Sequence, residues 1–586
     1  MKIIMSLVAL FLYPGFIIGA FAYLYLRKEW FKKTLHTEWK AILLILVSFM
    51  IVGNLLLTIF YSFDQQIYYF DFAAYWKNYI DFSNFVFENP KYLLVESYYT
   101  STLSDYGKLP ALFLVLPSKI FGLTFKGYVM SIFNFFILPS MFFSIVYLST
   151  ILKKVNAKFS KLAFIPLLLC VSVYIPMIVG YVGSAGLVFI AVTACILYDY
   201  EKIDVIDSLI LVLVVIALAF TRRWYLFFIV AFFLSWGFMI VIDMIRDKKF
   251  NIMKFKHILI TGLTSLIIVV VFFNPYVVRV LTNNFSVEYS AYKLPTTFDD
   301  IMLLITRFGG LVTGLFVYAF YVLYKEKEYH RESAYHFMIV LSTFVMFVQI
   351  QSFDTHHMYL LIFSVMYFVV IGLQSLYMRV DKRWFRVVCA LVLSAGILVS
   401  FVPREDKGEL NRGILFSSYY HPPRVNNVWP IKHLATTLNE LTRDGSYVYL
   451  NASNAVINSD MVRNANLPEV FNSVPLMEYI SVVDKRDGFP NDFHKIEYVV
   501  VVIPNVYNMG EENQHVMRLI DEGVTSVEVV ARHYDLVERI QIDPAFWVEI
   551  YLRNSELSKE AENYFESELK KVYPNLENVY HVDFTY

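Results

Sequence analysis

Apolar runs of about 20 residues recur along this chain, and they constrain its fold more than any other feature. A helix of that length crosses a bilayer with every backbone N–H and C=O satisfied inside the segment. Hydrophobic residues make up 58% of the 586 positions, well above the usual share for a soluble domain. The chain therefore reads as a polytopic α-helical membrane protein. We place spans near 3–26, 41–61, 127–151, 162–180, 184–199, 206–221, 224–245, 257–273, 304–324, 335–352, 358–378 and 385–402, about 12 in all. The first run, Ile3 to Leu26, is too long for a signal-peptide core and lacks a small-residue cleavage site, so it counts as a span. Lys plus Arg equals Asp plus Glu, at 50 each, so no bulk basic field points to nucleic acid. Cys170, Cys195 and Cys389 all fall in apolar segments, which leaves no disulfide framework and no cysteine zinc site.

Loop charge orients the spans. If the first helix runs from outside to inside, the inner loops carry 22 Lys and Arg and the more extensive outer segments carry 9. The positive-inside rule favours that orientation. It puts the long loops 61–126 and 274–303 outside, together with everything after residue 402. The segment 403–586 is of mixed polarity. Its strand-like runs 447–451, 497–504 and 546–552 lie among helix-like stretches such as 431–443 and 511–522, a pattern expected of a soluble extracytoplasmic α/β domain. The boundary falls at "VPREDKGE", 402–409.

Against that background "LAFTRRWYLFF", 218–228, stands out. Arg222 and Arg223 interrupt apolar sequence at an outer helix end, where an unpaired charge in hydrocarbon costs roughly 2.5–3.5 kcal/mol. Either they snorkel to headgroups or pair with an acid, or they hold an anion. In the first outer loop, Asp71 lies just beyond the second span and is followed by Tyr75 and Trp76. "DYGKLPAL", 105–112, then brings Asp105, Tyr106 and Lys108 ahead of "LFLVLPSKIFG", 112–122, which is too short for a span and reads as a helix lying in the interface plane.

The order of these features is a membrane helix, an outer Asp with Tyr and Trp, a Tyr-x-Lys-x-Pro-like turn, an interfacial helix and the next span. It resembles the GT-C superfamily of polyprenyl-phosphate-sugar-dependent membrane glycosyltransferases, in particular the aminoarabinose and O-mannosyl transferase group. The motif likeness covers roughly residues 41–150. The chain departs from the pattern in three places: Asp71-Phe72 replaces an acidic pair, Leu109-Pro110 replaces a double proline, and an extra helix comes first.

The resemblance implies an inverting transfer at the outer face of a plasma membrane, bacterial by its compact plan and few cysteines. A sugar would pass from a polyprenyl-phosphate donor to an envelope glycan, lipid, teichoic acid or protein. Asp71 takes the family's general-base position, with Asp105 as alternative base, acceptor binder or metal ligand, and Lys108 the phosphate-contacting position. A carboxylate at close range can take the acceptor proton, and fixed positive charge can stabilise the leaving lipid phosphate. Arg222 and Arg223 suit that phosphate because their donors form a planar fork. The sequence names no cofactor. A divalent cation, Mg or Mn, held by Asp71, Asp105 and a histidine stays open, although the spacing does not call for it.

Two further outer segments bear on the site. "QSFDTHHMYLL", 351–361, clusters Asp354, His356 and His357; adjacent histidines cannot face one metal as an i, i+4 helical pair does. One of them can donate to a phosphate or sugar hydroxyl, or the segment is simply a polar turn capping the next helix with Asp354. In 274–303, Glu288, Tyr289, Tyr292 and Lys293 are placed to line a donor or acceptor cleft or to serve in packing. The tail has no Gly-rich phosphate loop and no nucleophile arrangement, and is read as acceptor binding or cover. Two other functions fit the same plan: a polyprenyl-diphosphate-dependent glycan polymerase or ligase, and a transporter or flippase with an outer receptor domain. A transporter places its ionisable groups near mid-membrane, whereas here they gather at one face.

Overall fold

The computed structural model describes residues 1–63, 66–104, 106–155, 173–248, 252–325, 330–401, 415–417, 428–454, 456–467, 474–476, 480–490 and 492–584. It is mostly helical, with a small mixed sheet near the C-terminus. Among the described residues six helices are long and apolar enough to cross a membrane: Lys2–Arg27, Glu29–Phe63, Phe125–Lys153, Tyr225–Asp247, Ile252–Phe272 and Ile362–Arg379. The sequence-based count of about 12 is therefore not reproduced. Val182–Leu197 and Val205–Thr221 are apolar but shorter. The expected span 162–180 lies largely outside the described residues. Helices His330–Phe347 and Lys382–Phe401 do occur at the expected places, without being among the six.

The expected span 304–324 is broken. Helices Thr297–Phe308 and Gly310–Lys325 meet at 108°. Gly309 supplies the bend with φ +81, a conformation that costs a glycine little. A side chain there would also run into the backbone of Phe416 and Ser417, about 2.6 Å away, which lies against the break. Leu311 N–H donates to the Leu415 carbonyl at 3.1 Å. The segment 112–122 is likewise two short helices, Leu109–Phe113 and Val115–Phe121, and not one interfacial helix. Leu112, Phe113, Leu114 and Val115 are buried, so this segment packs inside the protein instead of presenting one face to lipid.

The helix Phe125–Lys153 is central and mostly buried, whereas Glu29–Phe63 and Ile252–Phe272 leave most of their apolar surface outward. That is the arrangement expected where hydrocarbon replaces water as the outer solvent. Small and polar side chains join the helices: Thr34 to Thr150 at 2.9 Å, and Asn54 to Asn134 at 2.8 Å and 3.0 Å. Gly53 lies directly under the Phe133 ring.

The C-terminal sheet has the order β1 (Val448–Asn451), β2 (Tyr498–Ile503), β4 (Phe546–Arg553), β3 (Tyr534–Asp543). β1 and β2 are parallel and the other pairs antiparallel. β2 reads "YVVVVI" because it is buried on both faces. One face packs on helix Val428–Leu441 in an apolar core continuous with the long helices, and the other on helices His515–Thr525 and Lys559–Val572. β1, β2 and β4 fall on the three expected strands. β3, "YDLVERIQID", has no counterpart among them, because an edge strand with one exposed face carries charges that mask its alternation.

One buried ion pair fixes the helix that leads to the two arginines. Asp204 and Asp207 form a capping box at the start of Val205–Thr221, and Lys28 reaches Asp207 at 2.9 Å with both side chains almost wholly buried. Tyr23 also donates to the Asp207 carboxylate. This clamp joins the end of the first helix to the end of Val205–Thr221 opposite Arg222. Removing one partner of a buried pair costs about 3–5 kcal/mol. Lys28→Met is therefore expected to lower thermal stability in detergent strongly, and Lys28→Met with Asp207→Asn to recover part of the loss, read by a thermal-shift series.

Candidate functional site

Arg222 ends the Val205–Thr221 helix in extended conformation, with φ −156 and ψ 137, and the next helix starts at Tyr225. The chain cannot continue as one helix here without leaving the guanidinium in an apolar core, so the break presents Arg222 sideways. Its side chain is 8% exposed. It meets the Asp71 carboxylate at 3.6 Å and lies over the rings of Tyr75 and Tyr106, at 4.9 Å and 5.6 Å to the centroids. Aromatic faces on one side and a carboxylate on another give a nearly buried cation the surroundings that it needs.

Asp71 enters from the first turn of helix Phe70–Glu88. Burial raises its carboxyl above the ordinary value, and the positive charges of Arg222 and Arg486 work against that rise. Asp71 in turn is the main cause that pushes the Tyr106 phenol up. The Tyr106 hydroxyl is therefore neutral, not an anion.

Arg223 faces a different wall. Its Nη2 donates to the Tyr289 hydroxyl at 2.9 Å, and its guanidinium lies 3.9 Å from the Phe285 ring centre. It ties the 274–303 segment down. The same segment is pinned by Lys293 Nζ on the Gln349 carbonyl at 3.3 Å, and by Ser352 N–H on the Tyr292 carbonyl at 3.1 Å. Burial lowers the Arg279 guanidinium below its ordinary value, and Tyr289 and Glu288 work against that fall.

The 351–361 turn forms the opposite wall. His356 stacks on Tyr181 at 4.2 Å between centroids and touches His357 at 4.0 Å. Both histidines are buried. Burial pushes both below their ordinary value, aided by the charges of Arg222 and Arg307, so both imidazoles are neutral near pH 7. His357 Nδ1 accepts from the Asp354 N–H at 3.2 Å, which fixes its tautomer. His356 Nδ1 is buried with no hydrogen-bond partner among the described residues. Arg307 closes this wall, 3.3 Å from Asp354.

The structure brings Arg222, Arg223, Asp71, Tyr75, Tyr106, Tyr292, His356, His357 and Asp354 into one neighbourhood. Trp76 serves the scaffold: its Nε1 donates to the Leu123 carbonyl at 2.8 Å and the ring is buried against Phe125. Lys108 is paired with Glu96 at 2.7 Å. Asp105 lies outside the described residues. Among the described residues no group of three His, Cys, Asp or Glu side chains is placed to hold a metal ion.

Three contributors were not anticipated. Arg307 had a signal: a lone cation beside Gly309-Gly310 inside an expected span marks a broken helix, and such breaks line sites. Tyr181 is one aromatic among many. Arg486 comes from the C-terminal domain, where its Nη1 reaches the Tyr292 hydroxyl at 3.2 Å while its Nε and Nη2 hold Asp487 at 2.6 Å and 2.9 Å. Nothing in "VVDKRDGF" distinguishes it from other charged turns.

No protein-family model matches this chain, and a comparison with curated proteins gives no match. The geometry stands by itself: a partly enclosed carboxylate, four arginines from three segments, a neutral histidine pair and a tyrosine rim. Arg223→Ala is expected to free the 284–293 segment, seen as faster hydrogen exchange there, with little change in thermal stability because the arginine is not in the core.

Proposed function

We propose that this chain is an integral-membrane glycosyltransferase of GT-C type, with a sugar on a polyprenyl phosphate as donor and an envelope glycan, lipid, teichoic acid or protein as acceptor. Its reactive face is extracytoplasmic, and so is the C-terminal domain. Asp71 is the general base that takes the acceptor proton. Arg222 receives the leaving lipid phosphate, with the neutral histidines as further hydrogen-bond partners.

The observation that carries this reading is the Asp71–Arg222 pair at 3.6 Å, set where helices end and tyrosines gather. Transfer from a phospho-lipid to a hydroxyl needs a base and a fixed cation a few ångströms apart. Burial gives Asp71 a more basic carboxylate than a solvated one, which suits proton abstraction. The motif order around Asp71 and Lys108 supports the family, and the loop charges support the orientation.

The direct test is release of lipid phosphate by purified protein in nanodiscs, given a panel of polyprenyl-phosphate sugars and envelope acceptors. Asp71→Asn is expected to lose about 100-fold or more in kcat. Retention of turnover in that variant would move the base elsewhere, and no turnover by folded wild type with any donor would overturn the reading. The pH profile has a definite sign. The base acts ionised, so kcat/KM falls as pH drops through the Asp71 pKa. Arg222 lowers that pKa, so Arg222→Gln is expected to move the acid limb to higher pH while weakening donor binding.

One observation favours a second reading, a transporter: the Thr297–Phe308 and Gly310–Lys325 break carries a cation at its corner, as the discontinuous helices of carriers do. Gradient-driven uptake of a polyprenyl-linked sugar into vesicles, without lipid phosphate release, would decide for it.

A further inference from the structure

The C-terminal domain touches the membrane-helix domain immediately before Asp71. Phe70 is the first residue of its helix and has φ +47. That is the left-handed region, which a bulky L residue rarely enters. Its N–H is one of the orphan donors of a helix start, and the N-cap residue Tyr69 provides no side-chain acceptor. The acceptor comes from 390 positions further on: Phe70 N–H donates to Asp460 Oδ2 at 2.9 Å.

Asp460 is itself well held. It lies on the short helix Ser459–Arg463, whose start is capped by Asn458 at 2.9 Å from the Met461 N–H. Its other oxygen is 3.6 Å from Arg463. A second contact flanks the first, with Asn464 Nδ2 donating to the Tyr68 carbonyl at 3.1 Å. The tail therefore grips the backbone at 68 and 70, next to the aspartate.

We propose that Asp460 is a positioning residue for Asp71: from the C-terminal domain its carboxylate caps the helix start at Phe70 and holds the left-handed turn that delivers Asp71 to Arg222. This gives the C-terminal domain a part in the reaction beyond cover. The kinetic half of the inference rests on Asp71 being the base, as proposed above. The structural half does not. Three charges bear on Asp71: Asp460 is the like charge that raises its pKa, and Arg222 and Arg486 oppose it. Tyr106, Tyr181 and Tyr128 are the tyrosines that also face it.

The experiment uses full-length protein in nanodiscs and compares Asp460→Ala, Asp460→Asn and Asn464→Ala. Asn464→Ala removes the flanking contact without touching the Phe70 amide, and so reports docking alone. The first readout is hydrogen exchange in peptides covering 66–74. Asp460→Ala is expected to exchange about 10-fold faster there, with the rest of the 70–88 helix unchanged, and Asn464→Ala to leave the Phe70 amide protected. The second readout is lipid phosphate release. Asp460→Ala is expected to lose about 10-fold or more in kcat, with the donor KM within about 2-fold. Asp460→Asn keeps an acceptor but not the charge, so it recovers rate, and its acid limb moves to lower pH. Unchanged exchange at 66–74 in Asp460→Ala overturns the inference. Equal loss of turnover in Asp460→Ala and Asn464→Ala, with the acid limb unmoved in Asp460→Asn, also overturns it and reduces Asp460 to a docking contact. Faster exchange in Asp460→Ala with no turnover by wild type supports the hold on Asp71 and overturns the transferase reading instead.

Discussion

A guanidinium enclosed to the degree of Arg222 has to be compensated on every side, and the site is built around that requirement. Asp71 supplies the countercharge and the Tyr75 and Tyr106 rings supply polarisable faces. For the pair to meet, three separate chain segments must end at one place. The Val205–Thr221 helix must stop at Arg222, the Phe70–Glu88 helix must begin beside it, and the turn with Tyr106 must close over both. Breaking a pair of this kind leaves an uncompensated charge, which is why such pairs tolerate so little rearrangement of what surrounds them.

The same logic repeats around the rim. Arg223, Arg307 and Arg486 each sit at the end or break of a helix and each has an assigned partner, in Tyr289, Asp354 and Asp487 respectively. Burial keeps the two histidines neutral, and the positive groups on either side add to that. The pocket is therefore rich in donors already oriented by local partners. Preorganised donors of this sort stabilise developing charge without having to reorganise when it appears.

The arrangement needs positive φ at two points, Phe70, where it is costly, and Gly309, where it is not. Both are held by chain far along the sequence: Asp460 at Phe70, and Leu415 to Ser417 around Gly309. The C-terminal domain and the segment leading to it thus brace the bends that shape the site. A continuous apolar core joins one face of the sheet to the long helices, which gives that bracing a firm base.

Much of this was legible in the sequence. Long apolar runs depend only on local composition, so the spans at 3–26, 41–61, 127–151, 224–245, 257–273 and 358–378 appear as long helices. Alternation and β-branched content showed β1, β2 and β4 for the same reason. Asp71 and Arg222 were visible because charge beside apolar sequence is conspicuous at any distance from its partner. Whether a charge has a partner, and which, is a long-range matter. Lys108 with Glu96, Arg486 with Tyr292 and Asp460 with Phe70 lie 12, 194 and 390 positions apart, and no local pattern encodes those distances. The 108° break at Gly309 was half legible, since Arg307 and two glycines marked it, but its angle depends on the returning chain that packs against it. Sequence alone determined which segments leave water and where charges interrupt them, because those follow from transfer free energies summed residue by residue. Only the tertiary structure decided which charges meet, because pairing is set by the packing that brings distant helix ends together.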